Sequence, residues 1–147
     1  MVLSSVGYQG STPKDFFSVL KENNIGILVD VRENPVSRKK GFSKSALKLT
    51  SEENGIKYFH FASLGSRRET RKEYKENKNW GWFSAQYNQY LETQEDVIGN
   101  LFEIISEGNT CLMCFESDHN LCHRSLLIDH LLEDSIGVLD IKHLTLA

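Results

Sequence analysis

The chain has 147 residues, a net charge of −3 and an ordinary share of apolar and charged residues. This length suits one domain with a proper core, and the composition disfavours disorder, repeats and membrane spans. Three cysteines argue against a secreted disulfide framework. We therefore expect one cytoplasmic domain over residues 1–147, with free thiols and without a cofactor.

Charge is distributed unevenly along the chain. Residues 32–78 hold thirteen Lys and Arg against six Asp and Glu, so this segment is positive while the remainder is negative. Such asymmetry indicates a face that attracts anions, phosphates included, although a solvated loop face is the alternative. Residues 66–80 are almost wholly charged, so we expect a surface insertion there, either an exposed helix or a flap.

Strand and helix patterns alternate along the chain. The predicted strands occupy residues 2–8, 25–31, 56–61, 110–115 and 137–141. Helices are predicted from residue 12 to about 22, then at 44–50, 80–91, 95–106 and 121–132, with Ser43 able to cap the second. This order favours an α/β fold: a mostly parallel sheet of about five strands with helices on both faces.

Four of these strands end in polar segments. The segments are Gly7–Ser11, Asp30–Arg32, Leu64–Ser66 and Glu116–Arg124. Parallel strands bring their carboxyl ends to one edge of the sheet, where ligands of such folds bind. We therefore expect a single shared site.

The most informative of these segments holds two cysteines. Cys122 falls in the predicted first turn of a helix, where free N–H groups and the helix dipole favour a thiolate. His123 and Arg124 add to that effect, so Cys122 meets the demands of a nucleophile. Cys114, at the strand end, is the alternative nucleophile or a resolving partner.

A nucleophile of this kind also needs an acid or base. Glu116, Asp30 or His60 could serve if the fold brings them close. The alternative for both cysteines is a packing role, because free cysteine is commonly interior.

Arginines at the strand ends favour phosphate binding. Arg32, Arg38 and Arg124 can form bidentate contacts to phosphate. An aromatic stretch could add stacking for a nucleotide or nucleic-acid strand, although aromatics more often belong to the core. Its members are Trp80, Trp82, Phe83 and Tyr87. The structural alternative for the arginines is an ion-pair network. It would join Asp30, Arg32, Glu116 and Arg124.

A metal site is disfavoured. Cys111-x-x-Cys114 followed by Cys122-His123 resembles a zinc pattern, but residues three apart on a strand face opposite sides. The same geometry argues against a thioredoxin-like redox pair at Cys111 and Cys114. The cysteine–arginine spacings do not fit a cysteine phosphatase loop, and no glycine-rich phosphate or dinucleotide fingerprint is present.

Taken together, these stretches resemble the domain of unknown function 488 family, a group of small bacterial and archaeal proteins. The matching residues are Gly7, Ser11, Asp30-Val31-Arg32, Pro35, Ser37-Arg38, Phe42, Tyr58, Leu64-Gly65, Cys114, Glu116 and Cys122-His123-Arg124. The resemblance implies an α/β fold and a shared site, without an established reaction. Cys111 and residues 67–78 lie outside the family pattern.

These observations lead to one hypothesis and one alternative. We predict an enzyme that uses a cysteine on a nucleotide, nucleic acid or other phosphorylated ligand; the alternative is a non-catalytic binding module for the same ligands. The predicted catalytic residues are Cys122, Cys114, Glu116, His123 and Asp30. The predicted ligand-binding residues are Arg32, Arg38, Arg124, Ser37 and Gly65.

Overall fold

The computed structural model describes residues 1–135 and 139–146, and it has the predicted α/β fold. The strands are β1 (Val2–Gly7), β2 (Ile27–Asp30), β3 (Lys57–His60), β4 (Thr110–Cys114) and β5 (Asp140–His143). The helices are α1 (Pro13–Glu22), α2 (Lys44–Glu53), α3 (Arg68–Asn77), α4 (Trp80–Leu91), α5 (Glu95–Glu107) and α6 (His123–Ser135). All strand pairs are parallel, in the order β3-β2-β4-β1-β5.

Most element boundaries fall close to the predicted ones. The main difference precedes α6, where residues 119–121 form a separate 3-10 turn and the helix begins at His123. The first part of the predicted closing strand, residues 137 and 138, lies outside the described residues, and β5 occupies 140–143.

Two polar residues show why helices begin where they do. Thr12 caps α1, because its hydroxyl accepts the N–H of Asp15 at 3.2 Å. Ser43 occupies the predicted N-cap position of α2, but its hydroxyl accepts no N–H of the helix. Its hydroxyl instead accepts the N–H of Ser37 at 3.0 Å. Ser43 therefore closes the basic loop in front of the helix.

The sheet is covered on both faces, and each face has its own apolar core. On one face α1 and α2 contribute Phe16, Leu20 and Leu47. On the other face α4, α5 and α6 supply the packing residues. Cys111 belongs to the first core and Cys114 to the second, as their strand spacing predicts.

The aromatic stretch in α4 is mainly core. Phe83 and Tyr87 are buried, and Trp80 stacks on Phe83 with ring centroids 5.1 Å apart. The Tyr87 hydroxyl donates to the carbonyl of Leu64 at 2.6 Å, so α4 fixes the segment that follows β3. Within the described residues, no helix has both the length and the apolar character needed to cross a membrane.

Candidate functional site

A cleft of about 940 Å³ lies at the carboxyl ends of β1, β2 and β4. Its inner wall is formed by buried residues: Tyr8, Arg32, Ser66, Cys114, Cys122 and His123. Its outer wall comes from the loop after β2, from α3 and from the loop at 115–121. The convergence of strand ends predicted from the sequence therefore produces a real concave surface.

The loop at 115–121 is seated against the end of β1. The N–H groups of Tyr8 and Gln9 donate to the carbonyls of Cys114 and Phe115 at 3.2 and 2.9 Å. A Cβ atom at Gly7 would lie 1.7 Å from the carbonyl oxygen of Glu116. A glycine is therefore required here for the loop to approach the strand.

Arg124 is a buried cation aimed at a sulfur. Its Nη1 donates to Cys114 Sγ at 2.7 Å and to the carbonyl of Glu116 at 2.6 Å, while Nε donates to Ser5 Oγ at 3.2 Å. Burial lowers the pKa of Arg124 to about 10, so the guanidinium stays charged at neutral pH. Among the described residues no carboxylate forms an ion pair with it. The charge therefore favours the thiolate form of a reduced Cys114.

His123 contacts the second cysteine. Its Nε2 lies 2.7 Å from the carbonyl of Val31, which can only accept, so Nε2 carries the proton. Burial lowers the pKa of His123 to about 4, so the ring is neutral at pH 7. The free lone pair of Nδ1 is 3.7 Å from Cys122 Sγ. The unprotonated Nδ1 of His123 therefore faces the Cys122 sulfur.

The sulfur atoms of Cys114 and Cys122 lie in direct contact, and the two Cα atoms are 7.8 Å apart. The two cysteines come together because the 115–121 loop folds the strand end against the helix start. Cys111 remains a free thiol on the opposite face, and its burial raises its pKa.

Asp30 is fully buried and does not line the cleft. Its two oxygens accept from Nε and Nη2 of Arg32 at 2.8 and 2.7 Å, and one also accepts the Tyr58 hydroxyl at 2.5 Å. Although burial alone would lower the pKa of Arg32, Asp30 raises it. Asp30 thus holds Arg32 in place, and the guanidinium reaches the cleft, where it also donates to the Tyr8 hydroxyl at 3.1 Å.

Half of the predicted four-residue ion-pair network is present. Asp30 and Arg32 pair, but Arg124 bonds the backbone carbonyl of Glu116 rather than its carboxylate. The Glu116 side chain lines the cleft instead, and burial raises its pKa. His60 does not line the cleft; its Nε2 is 2.7 Å from the carbonyl of Arg32.

The outer wall is strongly basic. Arg38, Lys39, Lys75 and Lys78 line it and form no ion pair within the described part of the chain. Arg71 also lines the cleft, but it pairs with Glu33 at 3.2 Å and donates to the carbonyl of Ser66. Arg71, Lys75 and Lys78 were not predicted as site residues, although the excess of Lys and Arg in segment 32–78 indicated a positive surface there.

The two remaining predicted residues have different positions. Ser37 lines the cleft, and its hydroxyl accepts the N–H of Lys39 at 3.1 Å. Gly65 does not line it, since a Cβ atom there would lie 2.1 Å from the backbone nitrogen of Glu33. Gly65 instead lets the segment after β3 pack against the cleft wall.

Exposed apolar side chains that were not predicted as site residues also face the cleft. They are Val36, Phe115 and Leu121. Phe115 packs edge-on against Tyr8, with ring centroids 5.4 Å apart. The outer wall therefore combines cations with apolar surface.

Comparison with known proteins gives one match. No curated protein and no solved structure matches the chain. Among the described residues, no group of three or more His, Cys, Asp and Glu is arranged to hold a metal ion. The family described as Domain of unknown function DUF488 matches residues 12–131, which include α1 to α6 up to Leu131 and most of the cleft. This match covers most of the sequence, and the chain therefore belongs to the DUF488 family.

Proposed function

We propose that the protein is a thiol-dependent enzyme that acts on a phosphate-bearing ligand, with a nucleotide or nucleic-acid strand as the preferred class. One observation carries the proposal: two cysteine sulfurs lie on the inner wall of a cleft whose outer wall presents four cations without ion-pair partners. Unpaired cations favour phosphate groups, and the adjoining thiols favour nucleophilic chemistry.

The roles within the cleft follow from the contacts. Cys122 is the proposed nucleophile of the reduced enzyme, because it lines the cleft and its sulfur faces the unprotonated Nδ1 of His123 at 3.7 Å. The thiol proton passes to solvent, the thiolate sulfur bonds to the phosphorus of the ligand, and the bond from phosphorus to the leaving oxygen breaks as that oxygen takes a proton from water. Water subsequently releases the product and restores the thiol.

The ligand is held by the outer wall. Arg38 and Lys39 approach from the loop after β2, and Lys75 and Lys78 approach from α3 and from its C-terminal end. Exposed Phe115 offers a ring on which a base can stack, as in many proteins that bind single strands. A cytoplasmic location is part of the proposal, because a reducing compartment keeps the thiols available.

The test is a turnover and binding screen on the reduced protein. ATP, AMP and a short oligothymidylate would be incubated with wild type, Cys114→Ser and Cys122→Ser, with products followed by mass spectrometry and affinity by calorimetry. Cys111→Ala is the matched control, since that thiol is buried on the other face of the sheet. We expect Cys122→Ser to lose turnover and to retain affinity.

Two outcomes contradict the proposal. Binding without turnover by the wild type would favour the alternative, a non-catalytic binding module that uses the same cations. Absence of both binding and turnover would leave the polar cluster a structural role.

A further inference from the structure

Cys114 and Cys122 have unequal surroundings although their sulfurs lie together, in a position to form a disulfide bond. Cys114 Sγ accepts a hydrogen bond from the buried Arg124 guanidinium at 2.7 Å. Cys122 Sγ faces the unprotonated Nδ1 of neutral His123 at 3.7 Å. When such a bond is cleaved, the sulfur that is better stabilised as a thiolate is the better leaving group.

Both cysteines can be reached from solvent through the cleft. Each lines its wall, whereas Cys111 is sealed in the core on the opposite face of the sheet. The cations of the outer wall also attract an anionic reagent toward the bond. The structure therefore provides a pair of cysteines, an entry path and a distinct polar partner for each sulfur.

We propose that Cys114 and Cys122 form a reversible dithiol–disulfide centre that exchanges with an anionic low-molecular-weight thiol. Cys122 is the sulfur attacked by the incoming thiolate, and Cys114 is the leaving thiolate held by Arg124. The centre uses the cysteines of the proposed enzyme, but it needs no phosphorylated ligand. Its oxidised form withholds both thiols from that chemistry.

The exchange is balanced in two steps. First, the thiolate of the reagent bonds to Cys122 Sγ, and the bond between Cys122 and Cys114 breaks with its electron pair on Cys114. Second, another reagent thiolate attacks the reagent sulfur of this mixed disulfide, and Cys122 leaves as a thiolate that takes a proton from water. Two reagent thiols are oxidised to one disulfide, and the protein gains two electrons.

The first experiment is a redox titration of the wild-type protein in glutathione buffers. Samples equilibrated at increasing ratios of reduced to oxidised glutathione would be quenched with iodoacetamide and mapped by mass spectrometry. We expect Cys114 and Cys122 to become alkylated together in one two-electron transition. Independent titration of the two residues, or two free thiols at every ratio, would overturn the proposal.

The second experiment locates the intermediate. Oxidised wild-type protein would be exposed briefly to reduced glutathione and then quenched. We expect glutathione attached to Cys122 and the alkyl group on Cys114. Glutathione attached mainly to Cys114 would overturn the assigned direction of attack.

Arg124 is proposed as a positioning residue for this centre. Arg124→Gln removes the stabilisation of the Cys114 thiolate, so the equilibrium should shift toward the disulfide by about tenfold, which corresponds to about 30 mV. Cys111→Ala is the control and should leave the equilibrium unchanged. An unchanged constant in folded Arg124→Gln would refute this role, and if that variant does not fold, the two wild-type experiments decide.

The redox proposal and the proposed enzyme can fail separately. Lys75→Glu combined with Lys78→Glu should weaken phosphate binding yet leave the cysteines titrating as one two-electron pair. Cysteine-dependent turnover without a two-electron transition would overturn the redox centre and leave the enzyme standing. A two-electron transition without turnover on any phosphorylated probe would overturn the proposed enzyme and leave the redox centre standing.

Discussion

His123 is a buried imidazole that the fold keeps uncharged. Its Nε2 donates to the carbonyl of Val31, and burial lowers its pKa to about 4. In the unfolded chain the same ring has an ordinary pKa near 6.5. Between these two values the unfolded state binds more protons than the folded state, so acid favours unfolding.

The first prediction concerns this window. The contribution of His123 to stability is complete above about pH 6.5 and is lost as the pH falls toward 4, by about 3 kcal/mol in the free energy of unfolding. His123→Gln keeps a donor for Val31 but does not titrate, so its stability should fall less steeply. Urea unfolding at pH 4 to 7 measures the difference.

Two other groups have shifted pKa values, and their contributions to stability cancel when wild type is compared with His123→Gln. Glu116 has a raised pKa and acts in the opposite direction, whereas His143 has a lowered pKa and acts in the same direction as His123. Both are present in wild type and variant. If the free energy of unfolding changes with pH equally steeply in wild type and His123→Gln, the prediction is contradicted.

Single residues also show how far sequence reasoning reaches. Cys122, His123 and Arg124 were assigned to one site because a strand end and a helix start can be recognised locally. Their partners were not predictable in this way. Arg124 bonds Ser5, which is distant in the chain, and the pairing of Cys114 with Cys122 depends on the path of the intervening loop.

At the scale of elements, the end of β1 supports the loop that follows β4. Gly7 makes this contact possible because its missing side chain leaves room for the carbonyl of Glu116. The polar ending of β1 was predicted to join the site. Its role as a seat for the loop was not, because a close approach of two backbones leaves no periodic pattern in the sequence.

The second prediction compares two glycines. Gly7→Ala should displace the loop and destabilise the protein by about 1–3 kcal/mol, the usual range for overpacking. Gly99→Ala is the matched control. It lies in α5, an added Cβ meets nothing within 4 Å, and it should stabilise the protein by about 0.5–1 kcal/mol.

Thermal unfolding of both variants measures the contrast. Gly7→Ala should also slow the alkylation of reduced Cys114, because moving the Glu116 carbonyl displaces Arg124, whose charge favours the Cys114 thiolate. Equal stability of the two variants would show that the loop can adapt to the extra methyl group.

At the scale of the molecule, a chain with net negative charge presents a positive cleft. The helix α3 and the residue that follows it supply Lys75 and Lys78 to this cleft, whereas α2 carries exposed Lys44 and Lys48 on the opposite side of the sheet. Substitutions at these two places can therefore test whether binding depends on where the charges lie or only on the net charge.

The third prediction uses this pair of helices. Lys75→Glu with Lys78→Glu should weaken ATP binding by about tenfold, and affinity for wild type should fall as salt rises from about 50 to about 200 mM. Lys44→Glu with Lys48→Glu changes net charge equally and should have little effect. Calorimetric titration distinguishes them, and equal losses in both double variants would argue against a localised site.

The fold class was predictable, whereas the strand order was not. Strands 25–31 and 110–115 are apolar runs typical of buried parallel strands, and the helices between them require crossovers. Several strand orders satisfy those rules equally well. The observed order depends on how the two apolar cores fill, which is a property of the whole chain.

The interior position of β1 in the sheet has a consequence for folding. Leu3 pairs with Thr110 on one side and with Ile141 on the other, so β1 gains both neighbours only after more than a hundred further residues have been synthesised. Such long-range pairing slows folding and leaves strand edges open to aggregation meanwhile. On the ribosome, residues 114–123 are the last of the cleft-lining residues to emerge, so the cleft is among the last features to assemble.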